Sequence, residues 1–179
     1  MLAYAGIGSR TISEEEKISI SKISEKLHKK FILYSGNCEG ADVEFQKSSN
    51  KNCVLFLPWK SFNIEQYPLY DCLHWYDMGH SEDGNKSIEK YHPNPKALTK
   101  GGRLLMSRNY HQIYGYDKYP IVSFVVFCAD EDRNGNVSGG TSFAVKIARD
   151  LSIPTCNIRQ KGWQNKLSDI VKSAINKPS

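Results

Sequence analysis

The chain has no C-x-x-C pair, no apolar run long enough to cross a bilayer, and no internal repeat, low-complexity tract or linker. Its five cysteines, at positions 38, 53, 72, 128 and 156, are odd in number and without paired spacing. That argues for reduced thiols over a disulfide frame or a zinc site. Cys53, Cys128 and Cys156 fall within apolar runs and read as core. The longest apolar run, 121–129, is broken by Ser123 and falls far short of the roughly 20 residues of a membrane span. At the N-terminus no basic segment precedes an apolar stretch and a cleavage site, so no secretion signal is read and a cytoplasmic setting is expected. His74, His80 and His92 have irregular spacing in loop-like sequence, which gives no metal signature; neither a metal nor a cofactor is expected. Charge of one sign is only mildly in excess. The 24 basic and 19 acidic residues leave +5, which favours anionic partners without singling out nucleic acid.

What is present is ordinary globular usage, 40% hydrophobic and 24% charged over 179 residues. That length fits one domain, 1–179. The order of signals is strand, glycine turn, helix, repeated. Residues 2–7 read as a short buried strand ending in Gly6-Ile7-Gly8-Ser9-Arg10. Ser13 with Glu16 three residues on is a capping-box pattern, opening a helix to about Lys30. Residues 31–35 form a second strand, then Gly36 to Asp42 and a short helix to about Ser48. Residues 53–59 form a third, ended by Pro58. About 35 residues rich in Tyr, His, Asn and Asp follow without periodicity, and such a stretch at about 60–94 predicts a ligand-covering lid. A helical region from Pro95 has its main helix over 103–114. Residues 121–129 predict a strand buried on both faces at the sheet centre. Gly139-Gly140-Thr141 opens another helix to about Leu151; a strand at 154–158 and a helix at 163–175 close the chain. Alternating strands and helices imply an α/β, Rossmann-like parallel sheet flanked by helices on both faces, with an insertion after the third strand. Ligands of such sheets sit beyond the carboxyl ends of the strands.

The loops after the strands therefore hold the candidate site. Gly6, Gly8, Ser9 and Arg10 stand where a backbone can approach a phosphate and a guanidinium can oppose its charge. Thr11 replaces the third glycine of a full G-x-G-x-x-G, and a turn with a solvated Arg10 is an equal reading. In Ser35, Gly36, Gly40 and Asp42 the same pattern recurs; Asp42 suits a ribose or a base, although helix capping is by itself the commoner role of such an aspartate. Gly139, Gly140, Thr141 and Ser142 form the strongest single signal, at a helix start facing the same crevice. Arg108, His111 and Gln112 share one helical face, as a phosphate or sugar clamp or as a solvated face. Trp59, at a strand end, offers an aromatic face for stacking.

Together Tyr4 to Arg10, Ser35 to Asp42, Leu57-Pro58-Trp59, Arg108-Asn109 and Ser138 to Thr141 resemble the SMF/DprA and LOG (SLOG) superfamily, over about residues 3 to 159. The likeness looks closest to short, stand-alone DprA-like proteins of bacteriophages. It implies a Rossmann-like domain that binds a nucleotide or nucleotide-derived ligand, with a homodimer or homotetramer as the assembly. Within the superfamily some members resemble phosphoribohydrolases, others bind single-stranded DNA, and others sense nucleotide signals in bacterial immunity. The resemblance points first to a small-molecule binder, of the anti-defence type if it sequesters such a signal. In that reading Arg10 and the loop amides hold one phosphate, Asp42 reads the ribose, Thr141 and Ser142 hold a second phosphate, and Arg108 with Asn109 closes the pocket. Nucleotide N-glycoside hydrolysis and single-stranded DNA binding remain the alternatives. The hydrolase branch carries P-G-G-x-G-T followed by a glutamate, whereas no acid stands in the turn Gly140 to Val145 here. Asp42, Glu39 or Glu44 would have to serve as the catalytic acid.

Overall fold

The structure, a computed structural model, describes residues 1–176; the end of the expected domain, 177–179, lies outside them. Six parallel strands form one sheet: β1 (Ala3–Gly8), β2 (Ile32–Ser35), β3 (Cys53–Leu57), β4 (His74–Asp77), β5 (Phe124–Cys128) and β6 (Thr155–Asn157). Six helices cover it: α1 (Glu14–Leu27), α2 (Ala41–Lys47), α3 (Glu82–Tyr91), α4 (Lys100–Tyr114), α5 (Thr141–Asp150) and α6 (Trp163–Asn176). The strand order β4-β3-β2-β1-β5-β6 makes the chain step one way from β1 to β4 and the other way from β5 to β6. The direction reverses between β1 and β5, so the loops after these two strands flank the crevice where such sheets take ligands.

Burial on both faces explains the apolar strands. Along β5, Val125 and Phe127 join a core with α3, α4 and α5, while Phe124, Val126 and Cys128 join a second core with α1, α2 and α6. Side chains of period two facing two helical layers leave no polar position in the strand. The expected strand at 121–129 is shorter, because Val122 instead donates its amide to the Ile113 carbonyl at the end of α4. It is interior but second from an edge; β2 and β1 occupy the middle.

The stretch expected at about 60–94 as a lid contains β4, which extends the sheet beside β3, and α3, which packs on α4. Its strand escapes pattern recognition because an edge strand with His74, Trp75 and Asp77 exposed has no buried face to impose alternation. The helix α4 begins three residues before its expected start. Thr99 caps it by accepting from the Gly102 amide at 3.0 Å, and Gly101-Gly102 disguise the first turn. Among the described residues no helix is long and apolar enough to cross a membrane.

Candidate functional site

A cavity of about 480 Å³ opens at the carboxyl rim, between the loops after β1 and β5. Its walls carry Gly8, Ser9 and Arg10 from the first loop, Gly139, Gly140 and Thr141 from the second, and Asp42, Arg108, Asn109 and Arg159 between them. The β1 loop is tied down in part by backbone: Ser9 donates to the Cys128 carbonyl at 2.7 Å and accepts from the Ala41 amide at 3.0 Å. Gly8 has to be glycine, since a Cβ there would lie 2.5 Å from the Cys128 carbonyl oxygen.

The helices differ at their N-termini in a way that bears on the site. α1, α3 and α4 are capped by the side chains of Ser13, Ser81 and Thr99. α5 begins after Gly140 with no side-chain cap and no acidic residue in its first turn. The Ser142 amide donates to the Gly139 carbonyl at 3.1 Å, and the positive dipole end of α5 lies at the cavity without a side-chain cap, a setting that favours an anion. Asn109 fixes this loop from the other side, donating to the Gly140 carbonyl at 3.2 Å.

Arg108 is buried, 2% exposed. Its guanidinium donates to the Phe56 carbonyl at 3.3 Å and to the Cys38 sulfur at 3.1 Å, and lies 3.8 Å from an Asp42 carboxylate oxygen. Oriented to satisfy both ends of its amide, Gln112 donates to Asn109 Oδ1 at 3.1 Å and accepts from Arg108 Nη1 and the Gly36 amide. Among the described residues, Arg108 Nε is the buried side-chain nitrogen without a hydrogen-bond partner. The Asp42 carboxyl is pushed up to about 6 by burial, against the opposing pull of Arg108 and of the Gly8, Cys38 and Gly36 amides. The Gly8 amide donates to it at 3.2 Å. The Cys38 thiol is likewise raised by burial, which leaves it a poor nucleophile.

At the far wall, Arg159 is held by four bonds: to Glu16 at 2.6 and 3.3 Å, to Asp130 at 2.8 Å and to the Thr11 carbonyl at 2.9 Å. This network joins the β1 loop and the start of α1 to the end of β6. It holds the Glu16 carboxyl below its usual range.

Several expected site residues lie behind the cavity instead of on it. Gly6 is covered by Leu33 and Phe45, and the Ser35 hydroxyl donates to the Gly6 carbonyl at 2.8 Å, stitching β2 to β1. Gly36 backs Arg108: a methyl there would overlap the guanidinium. Gly40 packs against the Ser9 and Arg10 carbonyls with φ of +87°. Trp59 stands away, edge-on to Phe62, and Ser142 faces a neighbouring cavity. Of the three candidate acids only Asp42 reaches the wall. Glu39 is exposed, and Glu44 is engaged by Ser21 at 2.9 Å and Lys47 at 3.5 Å. His111 does not join Arg108; it bonds Ser81 and the Gly115 carbonyl. None of the described side chains of 60–94 lines the cavity. Sequence reading missed Arg159, Met106 and Cys38 on its walls, while Asp130, an acid expected beside the crevice, does line it. Arg159 acquires its place through Asp130, Thr11 and Glu16, the last 143 residues away.

No protein-family model matches the chain, and no curated protein matches it. Solved structures do. DNA processing protein A from Helicobacter pylori, whose structure was described for its single-stranded DNA binding mode, aligns with 97% of this chain and 73% of its own, with a TM-score of 0.54 and 17% identity. DNA processing protein A (DprA) from Streptococcus pneumoniae aligns with 97% of this chain and 56% of its own, with a TM-score of 0.57 and 14% identity. The chain thus carries the DprA-like Rossmann fold, with a cavity at its switch point.

Proposed function

We propose that the chain binds a small nucleotide or nucleotide-derived ligand with a phosphate in the rim cavity. The observation that carries this is the buried Arg108, which lines the same cavity as the uncapped start of α5. A guanidinium and a helix N-terminus on one cavity both favour an anionic oxygen there. The cavity's size falls within the range of about 300 to 1,000 Å³ usual for small-molecule sites. Arg10, Arg108 and Arg159 outnumber Asp42 and Asp130 on its walls. Arg159 and Asp130 pair with each other, which leaves Arg10 and Arg108 against Asp42.

Single-stranded DNA is the second reading, favoured by the likeness to a DNA processing protein A studied for that binding. Among the described residues the cavity walls carry no Phe, Tyr or Trp, and strand binding draws much of its energy from stacking on aromatic rings. That weighs toward the small ligand. Hydrolysis of an N-glycosidic bond would fall to Asp42, which as a neutral acid below about pH 6 can donate a proton to a leaving base.

The test is to incubate the protein with nucleotides and ADP-ribose-type molecules, denature it by heat and chromatograph the supernatant. Intact ligand, with a thermal shift lost in Arg108→Leu, supports binding, and intact release is what sequestering or sensing a signal requires. Altered ligand makes the chain a hydrolase. No shift with any nucleotide, beside salt-sensitive capture of a labelled oligonucleotide, hands the site to DNA.

A further inference from the structure

A second cavity, of about 650 Å³, adjoins the first; Tyr91, Asn134, Asn136, Phe143 and Lys146 are among its walls. Met106, Gly139 and Gly140 line both cavities and form the ridge between them. The glycine at 140 is required neither by backbone nor by packing. Its φ of −63° and ψ of −27° suit any residue, and a Cβ there would meet nothing nearer than the Met106 methyl at 3.8 Å. Gly8 and Gly36 differ, for Cys128 and Arg108 stand in the way of a side chain there. A side chain at 140 would fit the protein and stand up on the ridge. What glycine preserves is a low passage from one cavity to the other.

We propose that the ligand contains two nucleosides joined through phosphate, and that it lies across the Met106, Gly139 and Gly140 ridge. Its phosphate occupies the first cavity and its second nucleoside the second. This rests on the nucleotide reading above and names its ligand class. The second cavity suits a nucleoside: Phe143 and Tyr91 are buried apolar walls, and Met106 adds a polarisable thioether. Asn134 and Asn136 come from a loop organised before any ligand arrives, since the Asp132 carboxylate accepts from both their backbone amides at 2.8 Å. Lys146 is oriented by the Tyr91 carbonyl at 2.9 Å and supplies a cation at the cavity edge. A free dinucleotide and two successive nucleotides of a strand share this chemistry.

Calorimetry with AMP, the 5′-phosphorylated dinucleotide pApA and a 5′-phosphorylated dA decamer tests it. The readout is the ratio of pApA to AMP affinity, expected at about tenfold or more in the wild type. Gly140→Leu, which raises the ridge, and Lys146→Ala, remote from it, should each pull the ratio toward one. A decamer binding as pApA does identifies a free dinucleotide as the ligand; a decamer binding far more tightly identifies a strand. AMP binding with a wild-type ratio near one, or a ratio that both variants leave unchanged, overturns the second arm while the nucleotide reading stands. If neither AMP nor pApA binds, the nucleotide reading itself fails and takes this inference with it.

Discussion

Two arginines share one cavity and are held in opposite ways. Arg159, at the β6 wall, has a side chain 23% exposed and four bonds to Glu16, Asp130 and Thr11. Arg108, on α4, is buried, its carboxylate partner stands 3.8 Å away, and one of its nitrogens has no partner. The better satisfied guanidinium is the structural one. Arg159 ties the β1 loop to the far edge of the sheet, while Arg108 is the one that the proposed reading gives to the ligand. Burial without full satisfaction is costly, which is why the two positions should respond differently to substitution.

The largest expected effect comes from breaking the buried side of this comparison. Arg108→Leu should abolish nucleotide binding and lower unfolding stability by about 3 kcal/mol, because the buried Asp42 carboxyl loses its counter-charge and has to take up a proton or stay uncompensated; urea denaturation at pH 7 measures it. Adding Asp42→Leu should restore most of the stability and none of the binding. A single Arg108 variant that keeps its affinity would show that the unpartnered nitrogen has no functional meaning.

Next is the pH dependence of the same pair. The folded-state pKa of Asp42, about 6, lies above its ordinary 3.8, so between these values the folded chain holds the extra proton. Its contribution is present at low pH and is lost as pH rises through about 6. Proton uptake also removes the carboxylate that competes for Arg108. The affinity of a phosphodiester such as 3′,5′-cyclic AMP, whose own charge is constant in this range, should thus rise roughly tenfold from pH 7.5 to 5. Asp42→Asn should flatten that profile, which titration calorimetry at several pH values would show.

Smaller effects belong to the other wall. Arg159→Ala should cost about 1 to 2 kcal/mol in stability, since the network is partly solvated, and weaken nucleotide affinity by less than about tenfold. A loss of binding as complete as that of Arg108→Leu would erase the distinction between the two arginines. The mildest is Glu16→Gln, which retains the capping box with Ser13 but removes the charge facing Arg159. A change of about 0.5 to 1 kcal/mol is expected, read as a small drop in thermal midpoint with binding intact.

Much of this was legible in the residues. The glycine loops at 6–10 and 139–141, each between an apolar run and a capped or periodic segment, located the rim; Gly8, Ser9, Arg10 and Gly139 to Thr141 do reach it. Their neighbours Gly6, Ser35 and Gly36 carry the same sequence signal for a different reason. They are small so that Phe45, the Gly6 carbonyl and Arg108 can pack against them. A one-dimensional pattern records that a residue is small and not what approaches it. The edge strand β4 was invisible because exposure removes the alternation by which strands are recognised.

The chain's own order of apolar runs, turns and caps determined the alternating architecture, because short strands joined through helices can close only as a parallel sheet covered on both sides. Which loops meet was decided by the reversal of strand order between β1 and β5. The roles of the charged groups were decided later still. Arg108, Asp42 and Arg159 owe their protonation and pairing to burial and to partners as far as 143 residues away, and dielectric surroundings exist only once the chain has packed.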